Sequence, residues 1–215
     1  MLPWYHSLVN TVKGLGDSSG AARGSGAGGN EEGTVQVAGD IVFLGDSLIE
    51  FFDWEKRFPM HRVRNLGVAG ETVEGLKERA GRITGDIPRA DFAFIMTGIN
   101  NVAMEDTGFL SPYRSVVEEF RTAWPACRIY VQSLLPTDLP WIHAHTIEFL
   151  NGRIEDLARA CGVEYLDVHA AFMARGPRAC LSADGIHLSP AGYALWADLV
   201  ERTIVAFLDR AREKR

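Results

Sequence analysis

Residues 40 to 47 read DIVFLGDS, a short apolar run that ends in a Gly-Asp-Ser turn. From residue 39 onward, runs of this kind alternate with stretches of helical periodicity. This alternation predicts βαβ units and therefore an α/β fold with a parallel sheet. Five strands are predicted, at 40–45 (DIVFLG), 62–66 (RVRNL), 92–97 (FAFIMT), 128–133 (RIYVQS) and 163–168 (VEYLDV).

Four longer helices are predicted near residues 71–83, 112–123, 144–161 and 190–211. The third has apolar residues at steps of three and four, which form one stripe that can pack against the sheet. Ser189 and Pro190 begin the last helix, because serine is a preferred N-cap and proline is favoured in the first turn. The stripe comprises Ile147, Leu150, Ile154, Leu157 and Cys161, and the buried face of the last helix comprises Tyr193, Trp196, Val200 and Phe207.

The residues before the first strand have a different composition. Eight of the 22 glycines fall between Gly14 and Gly33, so we predict a flexible linker over residues 14–36, because such a segment cannot offset its ordering entropy. Residues 1–13 form a short N-terminal segment with apolar residues at helical spacing. It is predicted either as an amphipathic helix that docks on the domain or a second subunit, or as a frayed terminus. Residues 37–215 form the predicted folded domain.

Length, charge and cysteine content exclude several classes of protein. The chain has 215 residues, 47% hydrophobic and 23% charged, which is typical of a soluble globular protein without a membrane span. A net charge of −6 with scattered basic residues argues against a nucleic-acid partner. Three cysteines without C-x-x-C spacing favour reduced thiols, and the first residues do not read as a secretory signal. We therefore expect a cytoplasmic protein with no stable membrane insertion.

Four segments carry polar residues where a site is expected. In an open α/β sheet, ligands bind beyond the carboxyl ends of the strands. A glycine there can expose its N–H, because no side chain blocks the approach. The segments place Ser47 after the first strand, Gly70 after the second, Asn100 and Asn101 after the third, and Asp184 with His187 near the end of the chain.

Each segment alone has an ordinary structural explanation, since Gly-Asp-Ser is usually a turn and asparagines commonly cap loops. The combination is more informative. It brings a hydroxyl, oxyanion donors and an acid-base pair to one rim of the predicted sheet, as a nucleophilic acyl-transfer site requires. A serine hydroxyl needs a neighbouring base, and His187 is the predicted base for Ser47.

The four segments resemble the conserved blocks of the SGNH (GDSL-type) serine esterases and lipases. The resemblance extends from residue 40 to about residue 205, so residues 37–215 are expected to be an SGNH hydrolase domain. It implies a three-layer α/β/α flavodoxin-like sandwich and a carboxylic ester hydrolase that needs no cofactor and no metal ion. The matching blocks are GDS with Ser47, NLGVAGET with Gly70, GINN with Asn100, and DGIHLSPAGY with Asp184 and His187.

The resemblance also implies the role of each residue. Ser47 would be the nucleophile, His187 the base and Asp184 the acid that orients the imidazole. The backbone N–H groups of Ser47 and Gly70 and the side-chain amide of Asn100 would form the oxyanion hole. Asp46 and Asn101 would support these residues.

Asn101 departs from the family pattern, because many members have aspartate at that position. The Asn-Asn pair, together with Leu134-Leu135-Pro136, is similar to the intracellular platelet-activating-factor acetylhydrolase catalytic subunits and their bacterial relatives. This similarity implies a homodimer. It leaves open whether the substrate is a short-acyl ester, a thioester, a lysophospholipid or an acetylated carbohydrate.

Two other functions remain compatible with the sequence. One is a doubly wound domain that binds a ligand without catalysis, with an anion held at the GDS turn and helix start. The other is an acyltransferase that uses the same site with an alcohol as acceptor.

Some residues have competing interpretations. Gly16-Asp17-Ser18 repeats the GDS string in glycine-rich chain and follows no predicted strand, so we do not expect a nucleophile there. His143 and His145 have the spacing of metal ligands, but a helix start explains them better. Trp141 and His143 are predicted to line a substrate pocket. Phe51, Phe52, Trp54 and Trp141 could belong either to a lid or to the core.

Overall fold

The computed structural model describes residues 39–213, which form a five-stranded sheet with helices on both faces. The strands are β1 (Asp40–Gly45), β2 (Arg62–Gly67), β3 (Phe92–Met96), β4 (Arg128–Gln132) and β5 (Glu164–Leu166). Their spatial order is β2-β1-β3-β4-β5, and every neighbouring pair is parallel. The predicted α/β fold is therefore confirmed. The predictions for residues 1–13 and 14–36 lie outside the described residues.

The predicted strands agree with the observed ones to within a residue or two, except for β5. This strand has three residues instead of the six predicted. The reason is local: the Asp167 carboxylate accepts a hydrogen bond from the Ala170 N–H at 2.9 Å and so caps a helix that begins at Val168. An N-cap ends the extended conformation where the periodicity alone would continue it.

Nine helices are formed by the described residues. The four long helices were predicted from their periodicity. The other five have four to eight residues, which is too short for an apolar stripe to be recognised. The helices are α1 (Ser47–Glu50), α2 (Trp54–Arg57), α3 (Val73–Asp86), α4 (Ile99–Ala103), α5 (Leu110–Ala123), α6 (Ala144–Cys161), α7 (Val168–Arg175), α8 (Pro177–Cys180) and α9 (Pro190–Glu213).

The longer helices pack in two groups. Helices α3, α5 and α6 pack side by side, and α9 packs with α7 and α8. An aromatic cluster lies between the sheet and α9: Phe43 stacks on Trp54 at 3.8 Å between ring centroids, and Trp196 meets Trp54 edge-on at 5.0 Å. Trp54 is fully buried and therefore belongs to the core, whereas Phe51 and Phe52 are half-buried.

The strand order has a direct consequence for the site. β1 lies between β2 and β3, with Gly45 in register with Gly67 on one side and with Met96 on the other. The segments that follow these three strands are therefore neighbours at one edge of the sheet. Within residues 39–213, no helix is long and apolar enough to cross a bilayer.

Candidate active site

Ser47 lies at the carboxyl end of β1, as the first residue of α1. Its side chain sits in a turn that only glycine can make at Gly45, where φ is +155° and a Cβ atom would lie 1.8 Å from the Met96 carbonyl oxygen. Asp46 caps α1 by accepting a hydrogen bond from the Leu48 N–H at 3.0 Å. The turn therefore presents the Ser47 hydroxyl at the helix N-terminus, at the edge of the sheet.

His187 and Asp184 join Ser47 in a continuous line of hydrogen bonds. The His187 Nε2 atom lies 2.9 Å from the Ser47 Oγ atom, although 140 residues separate them in the chain. On the other side of the ring, Nδ1 lies 2.8 Å from the Asp184 Oδ2 atom. The Phe51 ring packs against the imidazole at 5.2 Å between centroids. This arrangement can withdraw a proton from the hydroxyl.

Local hydrogen bonds fix the loop that carries His187. The other carboxylate oxygen of Asp184 accepts bonds from the Ser182 hydroxyl at 2.8 Å and from the N–H groups of Ile186 and His187 at 3.0 and 2.9 Å. Burial by itself raises the pKa of the Asp184 carboxyl, but these bonds and the one from the imidazole outweigh it, so the pKa falls well below its usual range. Asp184 is therefore ionised throughout the neutral range.

Gly70 and Asn100 lie on the segments that flank Ser47. Gly70 follows β2 and has a positive φ of +77°, and Asn100 follows β3 in α4. The Asn100 Nδ2 atom donates a hydrogen bond to the Glu71 carbonyl oxygen at 2.9 Å, which ties the two segments together across the end of β1. An amide nitrogen has two N–H groups, so Asn100 retains a second donor.

Asn101 is buried beside Asn100 and acts as a link between three segments. Its Oδ1 atom accepts a hydrogen bond from the Val73 N–H at 3.0 Å, as an aspartate could. Its Nδ2 atom donates to two carboxylates, Glu74 at 2.9 Å and Asp106 at 2.8 Å. An aspartate would have no proton for either acceptor at neutral pH. The departure from the family pattern is thus explained by these two acidic neighbours.

Asp46 is a fully buried carboxyl directly before Ser47. Among the described residues, nothing forms a hydrogen bond with its Oδ2 atom. Burial raises the pKa of Asp46 to about 7, and this rise is only partly offset by the Leu48 N–H and by the nearby His187. Close to neutral pH the group therefore exchanges a proton with its surroundings.

The predicted pocket residues are less closely tied to the site. Trp141 and His143 lie on the loop after β4, and both are exposed. The His143 and His145 rings stack on each other at 5.3 Å between centroids. In the part of the chain that the structure describes, no three His, Cys, Asp or Glu side chains converge on one point as metal ligands would.

Several residues that hold the segments in place were not predicted from the sequence. Glu71 and Arg79 form a partly buried ion pair behind Gly70, and Glu74 and Asp106 flank Asn101. Glu71 and Glu74 could have been predicted from the sequence, since they lie in or beside the NLGVAGET block. Arg79 and Asp106 gave no sequence signal, because their partners are set by how α3 and α4 pack.

The chain is similar to a known protein family and to several solved structures. Residues 15–195 match the model of the GDSL-like Lipase/Acylhydrolase family. No curated protein matches the chain. Among solved structures, a Streptococcus pneumoniae protein provisionally described as a platelet activating factor aligns with a TM-score of 0.67 at 21% identity, covering 78% of this chain and 84% of that one.

Two further structures have the same fold. An Enterococcus faecalis lipase/acylhydrolase aligns with a TM-score of 0.65 at 21% identity, over 77% of this chain and 94% of its own. An acetyl xylan esterase variant from Geobacillus stearothermophilus aligns with a TM-score of 0.62 at 21% identity, over 78% and 96%. At these identities the likeness establishes the fold.

Replacing Asp46 with asparagine should change how stability depends on pH. The folded-state pKa of about 7 exceeds the usual 3.8, so the unfolded chain ionises first and wild-type stability falls as pH rises between these values, then levels off. An asparagine side chain cannot ionise. As the pH rises from 5 to 8, the free energy of unfolding of D46N should therefore increase by about 2 to 3 kcal/mol relative to that of wild type. Urea denaturation at each pH measures this difference.

Asp53 provides a matched control for this experiment. It is also an N-cap aspartate, since it accepts a hydrogen bond from the Lys56 N–H at 2.9 Å, but it is exposed. D53N should show no such gain, because the Asp53 side chain is not buried on folding and asparagine caps as well as aspartate does. Parallel pH curves for D46N and wild type would contradict the interpretation of Asp46.

Asn101→Asp should destabilise the fold in a pH-dependent way. Three carboxylates would then meet at one point, and the loss should reach about 1 to 3 kcal/mol at neutral pH. It should shrink as the pH falls, because protonation of the introduced carboxyl group removes its repulsion. Urea denaturation at several pH values measures it, and N101D/D106N should recover most of the loss. An equal loss at all pH values would exclude charge repulsion as the cause.

Proposed function

Because the chain belongs to the GDSL-like lipase/acylhydrolase family and is a carboxylic ester hydrolase, we propose that it is a serine esterase with Ser47 as its nucleophile. The observation that carries the proposal is the line of hydrogen bonds from Ser47 Oγ through His187 to Asp184, with distances of 2.9 and 2.8 Å. Three side chains from two distant parts of the chain meet in the order that acyl transfer requires.

In the first step, His187 Nε2 takes the proton of the Ser47 hydroxyl as Oγ attacks the ester carbonyl carbon. Asp184 stays ionised, because its pKa lies well below the usual range, and so stabilises the imidazolium that forms. The tetrahedral intermediate then collapses. The bond to the leaving alkoxide breaks, His187 returns the proton to that oxygen, and an acyl enzyme remains on Ser47.

In the second step, water replaces the alcohol. His187 removes a proton from the water as its oxygen attacks the acyl carbon, and the proton returns to Ser47 Oγ when the acid leaves. Each cycle therefore consumes one ester and one water and yields one alcohol and one acid. Positioned acid-base catalysis of this kind typically contributes about 10² to 10⁴ in rate.

The negative charge of each intermediate requires hydrogen-bond donors. We assign this role to the N–H groups of Ser47 and Gly70 and to the Asn100 amide. The strand order supports the assignment, since Gly70 and Asn100 lie on either side of Ser47. The second N–H of Asn100 is also available, because the Glu71 carbonyl oxygen accepts only one. Asp46 and Asn101 support the site, Asp46 by capping α1 and Asn101 by accepting the bond from the Val73 N–H.

We propose short-acyl esters as the substrate class, with acetylated carbohydrates as the leading case. One solved structure with the same fold is described as an acetyl xylan esterase. We propose a related substrate for this chain. Phe51 beside His187 supplies an apolar wall next to the reacting atoms. Trp141 and His143 are proposed to contact the leaving group, since the loop that carries them begins at the sheet edge where β1 and β4 both end.

We propose a cytoplasmic location for the enzyme. Cys127, Cys161 and Cys180 are all free thiols, and burial raises the pKa of each. Thiols of this kind are expected in a reducing compartment. A homodimer stays a prediction.

Labelling with a fluorophosphonate tests the proposed nucleophile, because this reagent reacts only with an activated serine. Wild type should be labelled, and Ser47→Ala should lose both labelling and hydrolysis of p-nitrophenyl acetate. Ser18→Ala is the matched control, since it alters the other Gly-Asp-Ser string and should be labelled like wild type. An unlabelled wild type would favour a binding domain without catalysis, and a labelled S47A would remove Ser47 from the mechanism.

A series of p-nitrophenyl esters from acetate to laurate tests the substrate class. We expect kcat/KM for acetate to exceed that for laurate by at least about tenfold, because a short acyl pocket cannot hold the longer chain in a reactive position. A preference for laurate would contradict the short-acyl proposal and would favour a lysophospholipid instead, without affecting the assignment of Ser47.

A further inference from the structure

Behind the segment that carries Gly70 lies a partly buried ion pair. Arg79 Nε and Nη2 each donate to one oxygen of the Glu71 carboxylate at 2.6 Å, and the two side chains are 14% and 8% exposed. Two parallel bonds between a guanidinium and a carboxylate fix orientation as well as distance. Neither residue belongs to the proposed mechanism, so the pair needs a separate explanation.

Arg79 also connects the pair to the sheet. Its Nη2 atom donates a third hydrogen bond, to the Leu66 carbonyl oxygen at 2.7 Å, near the end of β2. The guanidinium therefore holds both ends of the segment 66–71 from within α3. A segment held at both ends by charge-assisted bonds has little freedom to shift.

Gly75, in the first turn of α3, makes room for this arrangement. A Cβ atom at Gly75 would lie 2.8 Å from the Glu71 Cγ atom, closer than two such carbons can approach. Glycine within a helix is less favourable than alanine by about 1 kcal/mol. Since the packing of Glu71 needs the space, we attribute this glycine to the ion pair.

Glu71 also links the pair to both proposed oxyanion donors. Its carbonyl oxygen accepts the hydrogen bond from Asn100 Nδ2 at 2.9 Å, and Gly70 is the residue directly before it. The side chain of Glu71 is thus held by Arg79, while its backbone accepts the bond from the Asn100 amide and is joined directly to Gly70. Fixing Glu71 therefore fixes both donors relative to Ser47.

We propose that Arg79 is a positioning residue for the oxyanion hole, acting through Glu71; this inference rests on the serine esterase mechanism proposed above. Oxyanion donors stabilise a transition state only where the charge develops, so a displacement well below 1 Å weakens them. Without Arg79, Glu71 would be a buried carboxylate with no partner and would turn toward solvent. The Glu71 carbonyl and the Asn100 amide would move with it.

Arg79→Gln tests the proposal. We expect kcat for p-nitrophenyl acetate to fall by about 10- to 100-fold while KM changes by less than about threefold, because the lost interaction belongs to the transition state. Arg79→Lys keeps the charge but not the two parallel bonds, and should recover part of the rate. Arg57→Gln is the control, since Arg57 pairs with Asp198 and Glu201 on α9; it should leave kcat unchanged.

Gly75→Ala probes the same interaction without removing a charge. The added methyl group presses on Glu71, so kcat should fall at least about threefold although alanine favours the helix. Gly85→Ala is its control in the same helix, because a Cβ atom there meets nothing within 4 Å. Thermal unfolding of each variant separates a change in kcat from a loss of folded protein.

Combining R79Q with Asn100→Ala gives the sharpest test. N100A alone should cost about 10² to 10³ in kcat. If Arg79 acts through the donors, the two losses should overlap. The fold loss of kcat in the double variant should then be at least about tenfold smaller than the product of the two single fold losses. Independent, multiplicative losses would overturn the proposal, and so would wild-type kcat in R79Q and G75A.

Failure of this inference can be distinguished from failure of the proposed function. An inactive S47A together with a fully active R79Q would overturn only the role of Arg79. A fully active S47A would overturn the serine mechanism and, with it, the positioning of its oxyanion donors by Arg79.

Discussion

The hydrogen bonding of β1 between β2 and β3 is the constraint on which the site depends. Parallel strands end at the same edge of a sheet, so the segments after β1, β2 and β3 must be neighbours. Gly45 then turns the chain where a side chain would strike the Met96 carbonyl, and Ser47 emerges at the start of α1. Gly70 and Asn100 flank it because their segments follow β2 and β3. The sheet thus supplies the proposed donors, while the 181–188 loop separately supplies the base.

Around this edge, buried polar groups are held by more than one partner. Asp184 accepts four hydrogen bonds, Asn101 bridges α3 and two carboxylates, and Arg79 contacts both Glu71 and Leu66. A buried polar group with a single partner would be costly and free to turn. Asp46 differs, because one of its oxygens has no hydrogen bond within residues 39–213 and its pKa is raised to about 7. A buried carboxyl with a raised pKa therefore lies directly beside the proposed nucleophile.

Much of this could be predicted from the sequence, and the failures have physical causes. Sequence patterns located all five strands; those of β1 and β3 are nearly continuous apolar runs, because a parallel strand buried on both faces is apolar along its length. They could not show that β5 ends early, since that depends on one aspartate capping the next helix. The assignment of Trp54 also needed the structure, because its ring packs between Phe43 on the nearby β1 and Trp196 on α9, which is far away in the chain.

The sequence by itself determined the class of fold and the identity of the residues at the strand ends, because hydrophobic periodicity and turn chemistry are local properties. Only the tertiary structure decided which of those residues meet. The 2.9 Å contact between His187 and Ser47 spans 140 residues, and the bond from Asn100 to Glu71 joins two loops. Such distances depend on how helices pack on both faces of the sheet, and packing is a property of the whole chain rather than of any segment.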